Sequence, residues 1–236
     1  MLRSVASGLS GRVRKYVRDM RTLPGDARLA WRLEGPPGVW REIAARSFYR
    51  VFRSGRFLVV EQELADVARR PPPPGVSIRR LDELELPVLA TIVTARTLER
   101  FGDHLADGGI CLVAWRGNRP VGYTWISRRM VGEADALQLP LPADACYGWG
   151  LYVIPGERRG GVGTALVSAR LAAGREEGFR TSWRAIRVDN RPSIRTLEKT
   201  AARGTSVLGE MSYVKVLARF HTRYRQREAD APRGGE

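Results

Sequence analysis

At 236 residues the chain is long enough for one large domain or a domain with an added arm. With 43% hydrophobic and 28% charged residues it falls among globular rather than disordered sequences, and a net charge of +15 suits an anionic partner without naming one. Two cysteines and two histidines are too few for a disulfide framework or a structural zinc site, and no apolar run reaches the roughly 20 residues of a membrane span, so a cytoplasmic chain without a metal is expected.

Residues 1–22 space Leu2, Val5, Leu9, Val13, Tyr16, Val17 and Met20 at helical intervals among arginines, which predicts a basic amphipathic helix. A turn at Gly35-Pro36-Pro37-Gly38 predicts a second helix with Trp40, Ile43, Ala44 and Phe48 on its buried side. From Tyr49 to Glu63 an alternating segment with Ser54-Gly55 in its middle reads as a β-hairpin. The run Arg69-Arg70-Pro71-Pro72-Pro73-Pro74-Gly75 interrupts regular structure and marks a stiff spacer.

Beyond the spacer strands and helices alternate. Strands are expected at 76–81, 110–115, 119–127, 145–154 and 181–188, with a turn at Gly117-Asn118 and helical periodicity through Val88, Leu89, Ile92, Val93 and Leu98. Val162, Ala165, Leu166, Ala169 and Ala172 mark one face of a further helix, and Pro192 suits the first turn of another. Two short strands, 205–210 and 212–219, should close the order before a tail rich in Gly and Pro.

The chemistry is concentrated between Val153 and Leu166. Glycines at 156, 160, 161 and 163 let the backbone turn tightly into a helix start, where N–H groups and the helix dipole favour a bound phosphate. A P-loop would need Lys then Ser or Thr after the last Gly, and a dinucleotide fingerprint would need Gly at Leu166, so neither applies.

The spacing Val153-x-Pro155-x-x-Arg158-x-x-Gly161-x-Gly163 between a strand and a helix resembles the coenzyme A loop of the GNAT superfamily of N-acetyltransferases. Asn190-x-x-Ser193 after the next strand is similar to that superfamily's pantetheine-contacting Asn and the small residue following it. The resemblance covers about 75–218 and implies a mixed α/β (α+β) fold. Its central sheet would be mostly antiparallel, with a splayed parallel strand pair and flanking helices. It divides the chain into a basic N-terminal helical arm and β-hairpin (1–70), a spacer (71–75), an acyltransferase domain (76–220) and a disordered tail (221–236).

By position, the resemblance implies that the amides of Arg159, Gly160, Gly161, Val162, Gly163 and Thr164 hold the diphosphate of acetyl-CoA or another acyl-CoA, flanked by Arg158. The strand near Leu151 and Val153, with Asn190 and Ser193, would hold the pantetheine arm. The implied reaction is attack of an amine on the thioester in a ternary complex, which calls for a base and an acid. Where relatives often carry Glu this chain has Tyr147, and where many carry a donor Tyr it has Leu197. Tyr147 and Tyr213 are therefore the candidate catalytic residues, with His104 and Trp149 facing the acceptor. The amine acceptor is unspecified. Alternatives are a long-chain transferase fed by acyl-CoA or an acidic acyl carrier protein, and an idle acyl-CoA-binding regulatory module. Nucleic acid is not an expected partner, and a homodimer is left open.

Overall fold

The strands of the chain are β1 (Phe52–Glu63), β2 (Val76–Arg80), β3 (Ile110–Arg116), β4 (Arg119–Ser127), β5 (Ala145–Val153), β6 (Thr181–Arg187), β7 (Thr205–Val216) and β8 (Arg219–Gln226). In the computed structural model, which describes residues 20–65, 67, 70–131, 139–200, 204–217 and 219–227, they form one sheet in the order β2-β3-β4-β5-β6-β1-β7-β8. Its neighbouring strands are antiparallel except for β5 and β6, which run parallel. The expected mixed fold with a single parallel pair is thus the observed one.

Residues 20–34 form helix α1, followed by α2 (Pro36–Arg46), the short α3 (Phe48–Val51), a 3-10 helix (Glu83–Thr91), α4 (Ala95–Ala106), α5 (Val162–Glu176) and α6 (Arg191–Thr200). Among the described residues no helix is long and apolar enough to cross a membrane.

Strand β3 shows how the layers arise, because it is apolar at nearly every position and so must be covered on both sides. Cys111, Val113 and Trp115 point into a cluster with Leu89, Phe101 and Trp125, beneath α4 and the 3-10 helix. Ile110 and Leu112 point the other way, toward Val167 and Leu171 of α5. On α4, Leu98, Phe101 and Leu105 recur at three- and four-residue steps, and the Thr94 hydroxyl caps the helix by accepting from the Thr97 N–H.

The N-terminal region departs from expectation. There is no hairpin at 49–63. Instead β1 is a continuous strand between β6 and β7, pairing Phe57 with both Arg187 and Met211. Gly55 is not a turn residue but the space under the Tyr213 ring, since a Cβ there would lie 2.8 Å from Tyr213 Cε1. The supposed arm therefore supplies a central strand of the sheet.

Likewise the strands expected at 205–210 and 212–219 are replaced by one long strand, Thr205–Val216, with a bulge opposite Val59/Val60, and Gly209 there admits the Tyr224 ring and the Arg225 carbonyl. Residues 219–226, expected in part as tail, are the edge strand β8. Helix α2 buries Gly38, Ala44 and Arg46, whereas Trp40, Ile43 and Phe48, expected inside, are exposed. The basic stretch before residue 20 and the tail beyond 227 lie outside the described residues.

Candidate active site

The loop before α5 is built to leave amides bare. Pro155–Glu157 makes a 3-10 turn, Arg159 and Gly161 take left-handed backbone (φ 66° and 88°), and Gly161 then caps α5 with no side chain of its own. The N–H groups of Arg159, Gly160 and Gly161 find no acceptor among the described residues, and the opening amides of a helix have none within it. Glu157 fixes the turn from below through a bidentate pair with Arg116 (2.8 and 2.7 Å).

A cavity of about 500 Å³ opens on this loop, lined by Gly160, Gly161, Thr164, Lys199, Arg70 and Pro73. Pro73 stands 3.5 Å from where a Cβ on Gly161 would be, so the proline spacer is a wall of the loop's cavity as well as a connector. Lys199 and Arg70 add positive charge beside the bare amides, a contribution the sequence pattern did not single out.

Next to the loop, β5 and β6 part. They pair at Ala145/Thr181, Cys146/Ser182 and Tyr147/Trp183, and no further. The cause lies on β5. Between Trp149 and Tyr152 it carries a bulge against β4, with Gly150 at φ 67°, which bends its far half away from β6. From Gly148 to Val153 the strand's β6-facing edge therefore has no strand beside it.

Leu151, Tyr152, Asn190 and Arg158 line a second cavity of about 520 Å³, together with Tyr123 and Leu33 of α1. The structure thus brings together the expected Leu151, Asn190 and Arg158. Asn190 Oδ1 accepts from the Ser193 N–H (3.2 Å) at the start of α6, a helix-capping role for both residues.

Arg158 differs from its expected part. Its guanidinium turns away from the loop, pairing with Glu34 (3.0 Å) and donating to the Val153 carbonyl (2.9 Å), because α1 supplies a carboxylate there. That carbonyl, expected to be open to the pantetheine arm, is already engaged. Glu34 also pairs with Arg41, and these two arginines outweigh its burial to hold its carboxyl below the usual range. No pattern local to the loop could have revealed Glu34.

On the opposite face of the sheet from α5, the His104 ring lies edge-on to Trp149 with centroids 4.6 Å apart, and Trp149 stacks on Trp125. The two expected acceptor-facing residues are thus in contact. Burial, reinforced by the charge of Arg100, holds the His104 imidazole below its ordinary pKa, which favours the neutral ring. Tyr147 is buried on that face among Val59, Met130 and Trp183.

Tyr213 is not brought to the cleft. It sits on β7, stacked on Phe57 at 5.7 Å, and β6 and β1 intervene between its strand and β5, roughly 14 Å at normal strand spacing. It fills the space over Gly55 and is withdrawn as a catalytic candidate. Cys111 and Cys146 are buried, which raises both thiols. Among the described residues no group of His, Cys, Asp and Glu is placed to hold a metal ion.

Residues 76–201 match the family described as acetyltransferase (GNAT) family. A Drosophila protein of solved structure superposes with a TM-score of 0.53 at 14% identity, over 77% of this chain and 58% of that one. A GCN5-related N-acetyltransferase from Kribbella flavida superposes at 0.44 with 16% identity, over 72% and 60%. A ribosomal-protein-alanine N-acetyltransferase from Brucella melitensis gives 0.40 with 22% identity, over 52% and 82%. The chain spans about three fifths of the length of the first two. No curated protein matches by sequence.

Proposed function

Since the chain belongs to the acetyltransferase (GNAT) family, we propose that it moves an acyl group from a coenzyme A thioester to an amine by direct attack with both reactants bound. The observation that carries this reading is the run of amides at 159–161 without acceptors among the described residues, opening α5 beside a parted parallel strand pair. Such amides and the positive end of α5 suit the diphosphate, with Lys199 and Arg70 adding charge. The unpaired edge of β5 suits the amide-bearing pantetheine arm, which would lie along it like another strand. A backbone N–H of that edge is also a donor for the thioester oxygen as negative charge develops on it.

In the transfer the C–N bond forms as the C–S bond breaks, the amine gives up a proton and the departing sulfur gains one. On the acceptor face His104, whose neutral form burial favours, is the side chain suited to take the amine's proton, with Tyr147 as the second candidate and Trp149 shaping the cavity. Neither is a carboxylate, which distinguishes this face from relatives that place Glu at the Tyr147 position.

Thermal unfolding with CoA and acetyl-CoA, followed by product detection against a panel of primary amines, tests the reading. A ligand that binds only the folded chain must raise its melting temperature. Stabilisation together with an acylated amine is expected. Absence of any stabilisation would remove the loop as a CoA site, and stabilisation without product from any amine would favour an acyl-CoA-binding regulator.

A further inference from the structure

Two arginines at the root of the parted strands have no counter-ion among the described residues. Arg170 of α5 is 3% exposed and Arg184 of β6 is 6% exposed, yet Nε and Nη2 of both lack a hydrogen-bond partner among the described residues. The bond that Arg170 Nη1 does make, 3.1 Å to Thr124 Oγ1, goes to a neutral hydroxyl. Among the described residues the groups that act on the charge of Arg170 are the Cys146 thiol and the Tyr147 phenol, neither a carboxylate, and the group that acts on Arg184 is Arg170 itself. Burial pulls Arg170 down to about 10, and burial with that repulsion pulls Arg184 down to about 9. Buried ions are ordinarily paired, because desolvation is otherwise too costly.

Their placement says what would pair them. Arg184 is the first β6 residue beyond Trp183, the last to pair with β5. Arg170 Nε lies 2.6 Å from where a Cβ would stand on Gly148, the first β5 residue beyond Tyr147. Only glycine leaves the guanidinium that room. Arg184 shares its sheet face with Ser182, which bonds Cys146, and the Cys146 sulfur in turn packs against Gly174 of α5. Both arginines thus occupy the α5 face of the fork.

At about 1.5 Å per helical residue, Arg170 stands roughly 13 Å below Gly161, too deep to serve the diphosphate. What reaches that depth is the reacting end of the pantetheine arm and the amine that meets it. We propose that the fork binds a carboxylate carried by one of the two reactants: the free end of a dicarboxylic acyl group, or the carboxylate of an amino-acid acceptor. Two oxygens facing two guanidinium forks satisfy the open N–H groups as a neutral acyl chain does not. The carboxylate takes no part in bond making: the acyl carbon exchanges sulfur for nitrogen, the amine's proton passes to the thiolate, and the carboxylate leaves with the product.

This rests on the acyl-transfer reading, and the test separates the two. Melting temperature and affinity of the full chain are measured with CoA, butyryl-CoA and succinyl-CoA, and then with glycine or methylamine added to the CoA complex. Succinyl-CoA binding about tenfold more tightly than butyryl-CoA identifies the donor as the source, and further stabilisation by glycine but not methylamine identifies the acceptor. Arg170→Met and Arg184→Met, which exchange a buried charge for similar volume, are each expected to abolish whichever preference is found. A CoA shift with neither preference, or a preference that survives both substitutions, overturns the carboxylate site alone. No shift with CoA overturns the acyl-transfer reading and this one with it.

Discussion

Gly161 and Gly163 lie two residues apart in the loop but are glycine for different reasons. Gly161 sits at φ 88°, where an L side chain is strained, so Gly161→Ala should lower stability by about 1 kcal/mol in urea unfolding. Gly163 is inside α5, and a Cβ there would meet Val153 Cγ2 at an ordinary 3.7 Å, so Gly163→Ala should raise stability by about 1 kcal/mol. Gly163→Asp separates folding from binding. A carboxylate in the first turn of α5 favours the helix by about 0.5 kcal/mol, yet it repels a diphosphate, so the free protein should melt no lower while the CoA shift disappears. Retention of that shift would argue against the loop as an anion site. His104 offers a pH signature. Its folded pKa is depressed below 6.5, so the unfolded chain takes up the proton more readily; its contribution is complete above about pH 6.5 and is lost as pH falls toward the folded value. His104→Asn should therefore lose less stability than the parent between about pH 7 and pH 5. Parallel losses would exclude the imidazole. The loop was legible because each of its positions answers to a local backbone demand, whereas Glu34, which claims Arg158, acts through tertiary contact and leaves no trace near the motif.

Helices α1 and α2 dock on α4 through one carboxylate. Asp26 pairs with the buried Arg46 and also accepts from the Ala95 N–H (2.7 Å) at the first turn of α4. Removing Asp26 leaves the buried Arg46 with the longer 3.8 Å pair to Glu42, so Asp26→Ala should cost about 2 kcal/mol and release amide protection in the first turn of α4, read by hydrogen exchange. A loss below about 1 kcal/mol would mean that Glu42 takes over the pairing of Arg46. From β2 to α6 the strands follow from apolar alternation and turn residues, as with β4 at 119–127, but the helical periodicity expected through Val88–Leu98 resolves into a 3-10 helix ending at Thr91 and a separate α4 from Ala95, capped by Thr94. Reading failed where glycine serves packing rather than turning. Gly55 and Gly209 both sit inside long strands because an aromatic ring from the next strand presses on the backbone, and neither ring is visible from the glycine's own neighbours. The exposed side of α2 failed for a related reason, since Arg46 is drawn inward by Asp26 while Trp40 is left outside.

At the scale of the molecule, the family match ends at residue 201 and begins at 76, yet β1, β7 and β8 lie outside those limits and belong to the same sheet. A fragment covering 76–236 loses the strand that joins β6 to β7, leaving buried edges on both. It is expected to show no cooperative thermal transition, and unfolding at the parent's temperature would make β1 dispensable. The position of β1 also bears on how the chain is made. Phe57 leaves the ribosome long before Arg187 and Met211, its partners on either side. Throughout that interval Val59 and Val60, both fully buried in the finished protein, belong to an unmatched apolar ribbon. Nascent chains stalled just short of β7 are therefore expected to be held by a chaperone, which co-purification with the stalled ribosomes would check.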